Sequence, residues 1–108
     1  MADILHQRVR AQLALALLGP IRSGRALAIL SQEARRSGLT GAEIDVALAG
    51  SSFEARTAAV IAYARALTSG INGDVTKSQT RARTLGVTDA ELQTVAAEAT
   101  EILGRSLS

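Results

Sequence analysis

A segment that repeats at a fixed distance constrains this chain more than any other feature. Residues 34–44, Ala-Arg-Arg-Ser-Gly-Leu-Thr-Gly-Ala-Glu-Ile, recur 48 positions later as residues 82–92, Ala-Arg-Thr-Leu-Gly-Val-Thr-Asp-Ala-Glu-Leu, with six of eleven positions identical. Each copy spells a junction between two helices. Gly38 and Gly86 suit the left-handed position that closes one helix. Thr40 with Glu43, and Thr88 with Glu91, have the spacing of a capping box, in which side chains satisfy the first amides of the next helix. Leu39 with Ile44, and Val87 with Leu92, are placed to staple the incoming chain onto that helix. The repeat thus fixes architecture much more tightly than activity.

The rest of the sequence agrees with an all-α fold. At 108 residues and 47% hydrophobic the chain reads as one domain, residues 1–108, able to bury roughly 60–65% of its unfolded surface. Alanine occurs 21 times and leucine 14 times, whereas Phe53 and Tyr63 are the only aromatics and Pro20 the only proline. That composition favours helix and close helix packing. Eleven Arg and one Lys nearly balance ten acids, leaving a formal charge of +2, which is no signature of polyanion binding. Without cysteine there is no disulfide framework, no thiolate nucleophile and no thiolate-ligated zinc. His6 is the only imidazole. The apolar run Leu13 to Leu18 is far short of the ~20 residues that cross a bilayer. Arg8 and Arg10 ahead of it resemble a signal peptide, but Asp3, Gln12 and the lack of a small-x-small cleavage site argue against one. The expectation is a cytoplasmic protein with no membrane partner.

Six helices are expected. The first runs from about Asp3 to Leu18 and stops at Gly19-Pro20. The second spans Ile21 to Ser37, and the third Thr40 to about Ala49. Ser51 with Glu54 reads as a capping box opening a fourth helix to about Thr68. Ser69-Gly70-Ile71-Asn72-Gly73-Asp74 is the one substantial loop. Thr76 with Gln79 starts a short fifth helix ending at Gly86, and Thr88 starts the last, to about Arg105. Helices one and four are apolar on nearly every side, and a helix apolar all round must be covered all round. A chain this small has little protein to spare for two such helices, so a symmetric homo-oligomer is expected. The alternative is that alanine-rich faces simply remain exposed.

The run Arg25 to Thr40, followed by Ala55-Arg56 and Ala62-Tyr63-Ala64-Arg65-Ala66-Leu67-Thr68, then Val75-Thr76 and Gly86-Val87-Thr88-Asp89-Ala90-Glu91-Leu92, resembles the carboxymuconolactone decarboxylase and alkylhydroperoxidase D superfamily. The similarity covers about Arg8 to Arg105 and implies an oligomeric, alkylhydroperoxidase-D-like helical domain. Peroxidase members carry two cysteines separated by two residues and a histidine four residues on. By the resemblance, these fall on Ser23, Ala26 and Leu30, and the acid of the proton relay falls near Ala11. None of the four groups is present, and a serine hydroxyl does not replace a thiolate. Thiol peroxidase activity is therefore not expected. The decarboxylase branch works without thiols but needs a positioned His or carboxylate. His6 precedes the matched region and reads equally as an N-terminal or interfacial histidine, while Glu33, the best-placed carboxylate, reads equally as an i,i+3 partner of Arg36.

Other constellations are weaker. Arg22 and Arg25 flank Ser23 at a helix start, where amides and the helix dipole favour an anion; the plain alternative is two solvated arginines. Lys77, Gln79, Arg81 and Arg83 make the fifth helix basic, but Asp89, Glu91, Glu98 and Glu101 follow at once, so nucleic acid is not an expected partner. Asn72-Gly73-Asp74 lacks the repeated carboxylates of a calcium loop, and no metal or cofactor is implied. Replacing thiols and imidazole by Ser23, Ala26 and Leu30 leaves an apolar pocket with Glu33 at its edge. Such a pocket fits two roles. One is a site for a small apolar or carboxylate-bearing molecule, with non-redox lyase, isomerase or cyclase chemistry; the other is a catalytically inactive structural or regulatory subunit of a homo- or hetero-oligomer.

Overall fold

The computed structural model describes residues 6–70 and 72–107, with side chains for all of these except 72 and 105–107. The described residues form six α-helices and no strand: α1 Gln7–Leu18, α2 Gly24–Arg36, α3 Gly41–Leu48, α4 Ala55–Ser69, α5 Asn72–Thr84 and α6 Asp89–Leu107. None of them is long and apolar enough to cross a membrane.

The repeat extends well beyond the junctions. Adding 48 to α2 gives 72–84, the bounds of α5; adding 48 to the first residues of α1 and α3 gives those of α4 and α6. The chain is therefore two consecutive three-helix units in one register. Burial follows the same register. Leu15, Ala34, Leu39, Ile44 and Ala47 form one buried cluster, and their counterparts Tyr63, Ala82, Val87, Leu92 and Val95 all lie in the larger cluster. The two clusters are divided by α1, which turns Leu15 towards the first and Val9, Leu13, Ala16 and Leu17 towards the second.

Both junctions form as the sequence predicts. Gly38 and Gly86 adopt φ of 99° and 92°. The Leu39 and Val87 amides donate back to the carbonyls of Ala34 and Ala82 at 3.1 and 3.0 Å, the six-to-one bond of a Schellman close. Thr40 N–H donates to Glu43 at 2.9 Å and Glu43 N–H to the Thr40 hydroxyl at 3.1 Å; Thr88 and Glu91 repeat both bonds at the same distances. Each box also receives an arginine from the first turn of its unit. Arg8 pairs with Glu43 and also donates to the Gly38 carbonyl at 2.6 Å. Arg56, 48 residues on, reaches Glu91 at 3.5 Å. The Thr40 amide, with the Arg8 guanidinium adding to it, holds the Glu43 carboxyl below its usual range.

Four boundaries differ from expectation. Residue 3, the expected start of the first helix, lies outside the described residues, and α1 is helical from Gln7. Pro20 opens a short 3-10 turn, Gly19–Ile21, and Arg22 leaves it extended at φ −116° and ψ 152°, so α2 starts at Gly24 rather than Ile21. The Ser51–Glu54 box does not form: Glu54 itself is the N-cap residue of α4, and its amide donates to the Ser52 hydroxyl at 3.2 Å. That hydroxyl in turn donates to buried Gln12 at 2.7 Å, fastening this turn to α1. Most of the loop expected over 69–74 is helix, because α5 starts at Asn72 with Asp74 in its first turn, where a carboxylate meets the positive end of the dipole. Thr76 therefore lies inside α5 and not at its start.

The two helices that are apolar all round are covered by the chain itself. Between Leu13 and Leu18 no residue of α1 is exposed, and between Thr57 and Leu67 of α4 only Arg65 is. Helix α1 packs against α2, α3, α4 and α6, and α4 against α1, α5 and α6. Stacking one unit on the other supplies the cover expected from a partner subunit, and the small alanine side chains let these helices approach closely.

Candidate functional site

The pocket and anion-site candidates Arg22, Ser23, Arg25, Ala26, Leu30 and Glu33 all belong to α2 or the turn before it. Little of this helix is covered: among its thirteen residues only Ala34 is buried, as only Ala82 is among residues 73–84 of its counterpart α5. Its apolar residues Ala26, Leu27, Ile29, Leu30 and Ala34 occupy a broad stripe on a helical wheel. Ala34 belongs to the first buried cluster and Leu30 packs against it. Leu27 and Leu30 are half-buried, Ala26 is exposed, and Ile29 is 48% exposed.

Arg22, Ala26, Leu30 and Glu33 come together: spacings of four and three put Ala26, Leu30 and Glu33 on one side of α2, and Arg22, extended in the turn before the helix, joins them. With Leu18 at the end of α1 and Ile29, they line an open groove of about 300 Å³. Ser23 and Arg25 are not part of it. The turn begun by Pro20 makes Ser23 an exposed N-cap residue whose side chain makes no capping bond, and Arg25 is exposed beyond the groove. Ile29 was not singled out from the sequence, although it lies three residues after Ala26 and four before Glu33.

A second groove, about 270 Å³, runs along the other side of Leu30 and Glu33, between α2, α1 and α6. It holds Ala11, the position matched to a proton-relay acid, beside Leu30, the position matched to a histidine. Arg10 of α1 and Glu98 of α6 edge it, and Ala14 and Ile102 complete its apolar floor. The superfamily comparison therefore brings two of its four positions into one groove, and both are aliphatic.

Chemically, these grooves offer aliphatic surface and solvated charge. Arg22 is half-buried and Glu33 exposed. The ion pairs among the described residues are Arg8–Glu43, Arg56–Glu91 and Arg83–Asp89, so Glu33 is not paired with Arg36 and neither Arg22 nor Glu33 has an ion-pair partner. His6, the exposed N-cap residue of α1, lines neither groove. No three His, Asp or Glu side chains among the described residues converge as metal ligands would. Compared with family models, with curated proteins and with solved structures, the chain matches none.

Proposed function

We propose that this chain is a cysteine-free relative of the carboxymuconolactone decarboxylase and alkylhydroperoxidase D superfamily that works as an interaction module, docking another molecule on the open face of α2. The observation that carries this reading is the position of the apolar stripe: Ala26, Ile29 and Leu30 border an open groove while only Ala34 of the helix is buried. An apolar stripe at a rim of charge is what a docking face requires. An acid–base enzyme needs a catalytic group within hydrogen-bond reach of its substrate; by the resemblance the relay's histidine falls on Leu30 and its acid near Ala11, neither of which moves a proton, and the best-placed carboxylate, Glu33, is exposed. A structural or regulatory role is therefore favoured over lyase, isomerase or cyclase chemistry.

The groove between α1, α2 and α6 supports a second reading. Aliphatic residues below Arg10 suit a small apolar molecule bearing a carboxylate, held by the cation at one end.

A dye that fluoresces on apolar surface, anilinonaphthalene sulfonate, separates these readings from a closed surface. At low protein concentration it is expected to bind the folded chain, and Ile29→Asp is expected to remove that binding with the unfolding midpoint unchanged. Dye binding that ignores Ile29→Asp refutes the docking face. Loss of binding in Ala14→Asp instead moves the site to the second groove.

A further inference from the structure

We infer that the occupant of the α2 groove is α2 of a second copy of this chain, lying antiparallel across a two-fold axis beside residues 27 and 28. The inference rests on the docking-face reading and adds the identity of the partner.

The internal duplication supplies the first argument. The positions of α5 equivalent to Ala26, Ile29, Leu30 and Glu33 are Asp74, Lys77, Ser78 and Arg81. Ser78 is half-buried and the other three are exposed, so this position in the fold is met by polar residues wherever it simply faces water. The buried positions of the first cluster, by contrast, are matched in kind: Ala34 with Ala82, Leu39 with Val87, Ile44 with Leu92. Leu30 also packs against that cluster, whereas Ala26 and Ile29 are exposed. The apolar side chains of Ala26 and Ile29 are therefore available to something outside the chain.

Charge identifies that partner. Along the groove the order is Arg22, Ala26, Ile29, Glu33: a cation at one end, an anion at the other, and aliphatic carbon between. Among the described residues neither charge has an ion-pair partner. Such a row complements its own reverse. Laid antiparallel on a second copy, each Arg22 meets Glu33 of the partner subunit, and each Ile29 covers Ala26 of the partner subunit. A parallel arrangement would set arginine against arginine and glutamate against glutamate. Self-complementarity about a two-fold axis is the condition for a closed dimer, and alanine at the crossing lets two helix axes come within about 8–10 Å.

Sedimentation of the full chain over about two decades of concentration, reaching about 0.5 mM, tests the inference. A monomer–dimer equilibrium is expected, weakened at least about tenfold by Ile29→Asp, which places a carboxylate at the centre of the contact. Arg22→Glu and Glu33→Arg are each expected to weaken it, and the double variant Arg22→Glu/Glu33→Arg to restore it, because every cross-subunit pair is then reversed in sign. A chain monomeric throughout, a dimer indifferent to Ile29→Asp, or a double variant no tighter than the singles overturns the inference. Helical content and unfolding midpoint, measured on each variant, establish that the fold is intact. If the chain stays monomeric while the dye still depends on Ile29, the second copy is refuted and the docking face stands; if neither responds to Ile29→Asp, both fall.

Discussion

Substituting alanine for Gly38 and Gly86, singly and together, tests whether the two junctions are one device used twice. At φ of 99° and 92° both glycines hold a backbone conformation that costs an L-residue about 1–2 kcal/mol. A methyl at Gly86 meets no heavy atom within 4 Å, so its cost is purely conformational. At Gly38 the methyl comes 3.4 Å from the Arg8 guanidinium, the far end of a flexible side chain that yields by a few tenths of an ångström. The two costs are therefore expected to match, at about 1–2 kcal/mol each after the smaller gain from stiffening the unfolded chain. They are also expected to add, because the sites sit in different units and share no partner. Gly104 provides the opposite sign: it lies inside α6 with open space around it, and alanine there is expected to stabilise by up to about 1 kcal/mol. Urea unfolding followed by far-ultraviolet circular dichroism reads all four variants, with the denaturant slope unchanged if only the folded state is affected. A neutral Gly38→Ala or Gly86→Ala, or a several-fold difference between them, would refute the equivalence of the junctions.

Two further outcomes follow from burial and charge. Leu13 is fully buried at the centre of the larger cluster, so Leu13→Ala is expected to cost about 2–5 kcal/mol; a urea midpoint that barely moves would place the core elsewhere. The Glu43 carboxyl is held below its ordinary range in the folded chain, so its contribution is complete above the unfolded carboxylate range and is lost as pH falls through the folded value. Glu43→Gln is accordingly expected to flatten the acid side of a plot of melting temperature against pH, and an unchanged slope would show that the Arg8–Glu43–Thr40 cluster does not set it.

The parts of the fold legible in the sequence are those decided within a few residues. A glycine at the end of a helix and a threonine three residues before a glutamate act through local backbone geometry, so both junctions form where the letters place them. Ser51 and Thr76 have the same spacing to an acid or amide and yet neither starts a helix. For Ser51 the neighbouring Ser52 takes the amide of Glu54 and links the turn to Gln12, a contact 40 residues away in sequence. For Thr76, helix from Asn72 onwards has already passed the position. Arg8 and Arg56 show the same limit from the other side: both letters sit 48 apart in plain view, but only the folded unit brings them onto Glu43 and Glu91. In the candidate site, helical spacing puts Ala26, Leu30 and Glu33 on one side of α2, whereas the turn at Pro20, which leaves Ser23 out of the groove and Arg22 in it, carries no signal of its own beyond the proline.

The coverage of α1 and α4 changes where an intermolecular contact should be sought. Read alone, a helix apolar on every side points to a partner subunit; once two units stack on each other, the same side chains are satisfied internally and supply no such argument. What remains unexplained by the fold is smaller and better defined. Duplicated units allow equivalent positions to be compared, although buried positions need not match: Leu17 and Val9 lie in the larger cluster where the other unit has exposed Arg65 and buried Thr57. At the surface of α2, exposed Ala26 and Ile29 stand where α5 has exposed Asp74 and Lys77, while Leu30, equivalent to Ser78, packs against the first cluster. Since exposing an aliphatic side chain forgoes about 25 cal/mol for each Å² left in water, a half-exposed isoleucine gives up stability that lysine at the equivalent position would not. That asymmetry between α2 and α5, confined to exposed positions, is what the proposed docking of α2 would explain.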